Sequence, residues 1–133
     1  LSSPIVIFDN DNLSTNTTGW QVYISTAGRI AVYSGPQALN YGLFTGGDIA
    51  VNTWVEVAVT WDGTVLRFFK DGTLLGTSPA GFTNVWGNRL TLFNSAFHSQ
   101  GGAGTTYYDA LRFVRTCLFT TSYTVATKRF TGY

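Results

Sequence analysis

The chain has no methionine, one cysteine, one histidine, one glutamate and three prolines among its 133 residues. The lone Cys117 excludes an internal disulfide, so the fold rests on packing and hydrogen bonds, and a framework without cysteine pairs does not look like a small secreted scaffold. Charged residues make up 11% of the sequence and sum to +1, with one small basic pair at Lys128 and Arg129. That balance leaves no broad basic footprint for nucleic acid or an anionic membrane. No apolar run approaches the roughly 20 residues that cross a bilayer, and no signal-peptide pattern opens the sequence. It reads as soluble and not inserted into membranes. Opening at Leu1 without any methionine, it also reads as a processed product, an excised domain or the ordered part of something longer.

What is present is apolar and aromatic: 44% hydrophobic and 16% aromatic residues, with Thr, Ser, Gly and Asn filling most of the remainder. Disorder is excluded by that apolar content. Thr and aromatics suit strands, Gly and Asn suit turns, and the length fits one domain over 1–133 that buries about two-thirds of its unfolded surface.

The stretch "WVEVAVTWDGTVLRFFKDGTLLG" (54–76) carries the densest signal. Val55, Val57, Val59 and Trp61 alternate with Trp54, Glu56, Ala58 and Thr60, the period-two pattern of a strand with one apolar face. Asp62-Gly63 and Asp71-Gly72 each have the chemistry of a primed hairpin turn. A three-strand meander over 54–61, 64–70 and 73–77 is expected. "IVIFD" (5–9), "GWQVYIS" (19–25), "RIAVYSG" (29–35), "NRLTLFNS" (88–95) and "YYDALRFVRT" (107–116) read as further strands. A minor helical turn is expected near 118–122. About eight short strands without an amphipathic helix predict an all-β, two-sheet antiparallel sandwich of jelly-roll type.

In combination, "NTWVEVAVTWDGTVLRFFKDGTLLG", "NRLTLFN" and "YYDALRFVRTCLFTTSYT" resemble the laminin-G-like members of the concanavalin-A-like lectin and glucanase superfamily. The resemblance covers about two-thirds of the chain. The closing pattern is similar to modules of bacteriophage tail, fibre or capsid-decorating proteins, while other members sit in secreted or cell-surface multidomain proteins. Such modules usually carry another strand or two, with an aromatic-x-Trp run, before the position of "IVIFD". That difference implies either missing upstream sequence or a strand supplied by a neighbouring chain. An incomplete sheet edge invites pairing, so an oligomeric or scaffold-docked state is expected.

Catalysis finds little support in the residues. Glycoside hydrolysis needs two carboxyl groups flanking the scissile bond, and catalytic relatives of the superfamily place two Glu and an Asp at alternate positions of one strand. Here Glu56 has Trp54 and Ala58 as neighbours on its face. A Ser-His-Asp set would have to use His98, and the Gly-rich 101–104 lacks the Lys-Ser/Thr of a phosphate loop. No enzyme is expected and no cofactor is required.

"DNDN" (9–12) begins like an oxygen-rich calcium loop, but the EF-hand pattern fails with Leu13 in the fifth place, Ser14 in the sixth and Trp20 in the twelfth. The resemblance leaves Asp9 and Asp11 as candidate calcium ligands of another geometry, against an Asx-rich turn as the plainer reading. Trp61 is expected in the core. Trp86, in "GFTNVWGN", is the candidate platform for a sugar ring, with Asn84, Asn88 and Tyr41 beside it on a rim built from loops 35–48, 78–88 and 94–106. Asn12-Leu13-Ser14 and Asn16-Thr17-Thr18 satisfy the glycosylation rule.

Two functions are therefore expected. The first is a non-enzymatic structural or binding module of a virus particle, in contact with other virion proteins, copies of itself or a host-surface glycan. The alternative is a carbohydrate-binding module of a secreted or cell-surface protein.

Overall fold

The structure is a computed structural model, and it describes residues 4–10, 18–35, 39–83, 91–92, 107, 111–114 and 116–125. Eight strands run through these residues: β1 (Ile5–Asp9), β2 (Trp20–Ile24), β3 (Ile30–Ser34), β4 (Leu39–Gly42), β5 (Val57–Trp61), β6 (Leu66–Lys70), β7 (Thr73–Thr77) and β8 (Thr91–Leu92). They form two antiparallel sheets, one in the order β4-β3-β2-β1-β8 and one in the order β5-β6-β7. No helix occurs among the described residues. The expected all-β architecture of two antiparallel sheets is what the chain adopts.

Alternation places the core between the sheets. Ile24, Ile30, Val32 and Tyr41 from the first sheet meet Leu66 and Phe68 from the second, with Phe82 among them. Val57, Val59 and Trp61, alternate residues of β5, pack against the same cluster. Phe68 is fully buried, and a side chain of that size stabilises the fold by about 2–3 kcal/mol when taken out of water. Trp61 meets the Phe82 ring edge-on at 5.8 Å, which places it in the core as its parity implies.

The two Asp-Gly pairs turn the chain in different ways. Asp71 (φ 48) and Gly72 (φ 74) are both left-handed and link the paired residues Lys70 and Thr73, the two-residue primed turn expected there. At the other corner only Gly63 has a positive φ (97), and four residues separate the paired Trp61 and Leu66. Asp62 organises this wider loop. Its Oδ1 accepts the N–H groups of Thr64 (2.9 Å) and Val65 (3.0 Å), and its Oδ2 takes the Arg67 guanidinium at 2.6 Å.

Three local expectations are corrected, and a fourth is met where it is described. The segment 35–48, expected as a loop, contains β4, which pairs with β3 from Ala31↔Gly42 to Ser34↔Leu39. Of the strand expected over 88–95, Thr91–Leu92 is described, paired with β1. The described residues of 107–116 lie outside any strand, and 118–122 bends at 120 and 121 without a helical turn. In the last case side-chain contacts to the second sheet, set out below, replace the local hydrogen bonds a helix would need.

Candidate functional site

Glu56, the one glutamate, lies immediately before β5, where the Asp71 turn fixes its backbone. The Asp71 N–H donates to the Glu56 carbonyl (2.9 Å), and the Glu56 N–H donates to Asp71 Oδ1 (2.9 Å). Its carboxylate Oε1 accepts a hydrogen bond from the Tyr123 hydroxyl. Tyr123 belongs to a segment, residues 117–125, that lies against the face of the three-stranded sheet turned away from the core. Its N–H donates to Gly72 O (2.8 Å), Ser122 Oγ accepts the Leu74 N–H (3.0 Å), and the Thr60 hydroxyl donates to Phe119 O (2.8 Å).

The Phe119 and Tyr123 rings stack at 3.6 Å, and both pack on Phe69, at 6.1 and 5.5 Å. Phe69 is thereby fully buried on the opposite side of the sheet from Phe68. Glycine is needed at the corner, since a Cβ on Gly72 would run into the Tyr123 carbonyl oxygen. Burial first, then the hydrogen bond and charge of Glu56 and the charge of Asp71, push the Tyr123 hydroxyl above its ordinary range.

A hydrolytic pair leaves a gap between its carboxyl groups for the scissile bond. Glu56 Oε1 instead accepts the Tyr123 hydroxyl, and Asp71 Oδ1 accepts the Glu56 main-chain N–H.

The expected calcium residues divide. Asp9 is 4% exposed, and its Oδ2 accepts the Gln21 side-chain N–H at 3.2 Å; Asp11 lies outside the described residues. No group of three metal-ligating side chains occurs among the described residues. Next to Asp9, Asn10 closes the β1–β2 connection: its N–H donates to Trp20 O (3.1 Å) and its Oδ1 accepts the Trp20 N–H (2.6 Å). This contact joins the two ends of the β1–β2 connection across ten positions.

Of the expected sugar contacts, Trp86, Asn84 and Asn88 lie outside the described residues, as do His98, residues 101–104 and the two Asn acceptors Asn12 and Asn16. Tyr41 is described, and it is a core residue rather than a rim residue. It is 7% exposed and meets Phe82 edge-on at 5.6 Å, because β4 turns it inward opposite Val32.

Two features follow from the fold rather than from local sequence. The register aligns Asp9, Gln21, Tyr33 and Asn40 in one row across β1, β2, β3 and β4. At the β4 end of this face the Tyr23 hydroxyl donates to Asn40 Oδ1 at 2.9 Å; burial raises the Tyr23 hydroxyl above its ordinary pKa. The second feature is Trp54, which is 69% exposed in the loop that enters β5. Strand parity sets it apart from Trp61, but parity does not say whether anything covers the other face.

No curated protein and no solved structure matches the chain. A laminin-G-like family model, described as concanavalin A-like lectin/glucanases superfamily, matches residues 2–121. With two antiparallel sheets around one aromatic core and a family match over nearly the whole sequence, the chain belongs to the concanavalin A-like lectin/glucanase superfamily.

Proposed function

We propose that the domain is a non-catalytic binding module of a virus particle, decorating the capsid or forming part of a tail fibre, with other virion proteins or copies of itself as partners. The observation that supports the non-catalytic reading is that Glu56, the one glutamate, is engaged by the Tyr123 hydroxyl. The particle assignment is supported by the resemblance of the closing segment 107–124 to phage tail and capsid-decorating modules. The exposed ends of such a sandwich hold a partner without transforming it, and adhesion to a host-surface glycan is compatible with that role.

A second reading, a lectin-like module of a secreted or cell-surface protein, is favoured by the neutral Tyr23–Asn40 pair on the outer face of the larger sheet. Quantitative mass spectrometry of purified particles from the source culture, alongside its secreted and surface fractions, separates the two. Fixed stoichiometry with the particle's structural proteins is expected. Absence from particles, with recovery in the secreted or surface fraction, would overturn the particle assignment and favour the lectin.

A further inference from the structure

Residues 117–125 form neither strand nor helix, yet they cover Phe69, which is fully buried on the outer face of β6. Their hold on the sheet is made by side chains and chain ends rather than by a ladder. The Phe119–Tyr123 stack lies on Phe69. The Tyr123 N–H donates to Gly72 O (2.8 Å), Ser122 Oγ accepts the Leu74 N–H (3.0 Å), Phe119 O accepts the Thr60 hydroxyl (2.8 Å), and the Tyr123 hydroxyl donates to Glu56. The sheet beneath closes on its own pairing, β5 with β6 and β6 with β7. Lifting the segment therefore breaks no strand pairing, and such elements open at a lower free energy than the ladders they cover.

The chain around the start of this segment is apolar and lies in water. Phe113 is anchored, its ring 4.8 Å from Phe8, but Leu111, Val114 and Leu118 are each 44% exposed. In a single copy these three side chains forgo the stabilisation that burial gives.

Exchange of the segment accounts for both observations. A segment that leaves its own groove and enters that of a second copy remakes every contact, Tyr123 with Glu56 included, because grooves and segments are identical. The cost is the entropy of association. Burial of Leu111, Val114 and Leu118 where the copies meet offsets it. The groove also selects its occupant: a ring at 119, a hydroxyl at 122 and a phenol at 123 are spaced to meet Phe69, the Leu74 N–H and Glu56. A second copy of this chain carries that spacing by identity.

We propose that residues 117–125 are an exchangeable arm through which two copies of the chain form a dimer, each supplying Phe119 and Tyr123 to the Phe69 groove of the other. This rests on the reading that copies of the chain are among its partners.

The test uses whole chain, isotope-labelled and unlabelled in equal amounts, unfolded and refolded together, with light scattering for mass and isotope-filtered NOEs for contacts between copies. A dimer with NOEs between Phe69 of one copy and Tyr123 of the other is expected. Leu118→Ser should weaken the dimer about tenfold and leave the unfolding midpoint of dilute chain unchanged. Tyr123→Phe should leave the dimer constant unchanged, because the closed and exchanged forms share that contact. A dimer whose Phe69–Tyr123 NOEs lie within one copy would overturn the exchange while leaving self-association intact. A monomer at every concentration would overturn both. An unchanged dimer constant in Leu118→Ser would contradict burial of the exposed apolar residues between copies and, with it, the driving force for exchange.

Discussion

The Tyr123 hydroxyl donates to the Glu56 carboxylate from 67 residues further along the chain. With the Phe119–Tyr123 stack on Phe69, this contact closes the outer face of the three-stranded sheet. Tyr123→Phe keeps the stack and removes the hydroxyl. A loss of about 1 kcal/mol in unfolding free energy is expected, the usual worth of a partly exposed hydrogen bond, measurable by urea titration with an unchanged denaturant slope.

Asp62 supplies a signature at low pH. Hydrogen bonds from the Val65 backbone, then the Arg67 side chain and the Thr64 backbone, bring its carboxyl from an ordinary 3.8 down to about 2. A carboxyl with a lowered folded-state pKa stabilises the fold above the unfolded value and loses that contribution as pH falls through the folded one. Stability should therefore drop between pH 3.8 and about 2 for this reason. In Asp62→Asn the acid slope in that window should be shallower, as followed by thermal unfolding against pH.

Tyr41 discriminates core from rim. As a rim residue its removal would leave stability within about 0.5 kcal/mol of wild type. Buried against Phe82, it should cost about 3 kcal/mol on replacement by Ala. Equilibrium denaturation of Tyr41→Ala reads the difference.

The meander was legible because alternation over 55–61 and two Asp-Gly corners are local signals, and each corner lies where a reversal occurs. Even there the turn type was half hidden. The Asp62 side chain captures two N–H groups and widens its loop, while Asp71 bonds Glu56 and leaves a two-residue turn. β4 was not legible: Leu-Asn-Tyr-Gly offers a single inward apolar residue, and its strand character comes from pairing with β3. That miss also displaced Tyr41 from core to rim.

The contacts of 117–125 have no period to detect. They join residues 48 to 67 positions apart, so local composition is silent about them. For the same reason the sequence shows a solitary glutamate but not the tyrosine that occupies it. The exposure of Trp54 likewise depends on what the fold leaves uncovered.

Residue-resolved amide hydrogen exchange of Glu56→Ala against wild type tests most directly whether Glu56 holds the chain's own C-terminal segment in place of performing chemistry. The N–H of Tyr123, bonded to Gly72 O, should exchange about tenfold faster or more in the variant, while the β2–β3 amides keep their protection. Unaltered exchange at Tyr123 would contradict a structural role for Glu56 and return its carboxylate to the candidates for catalysis.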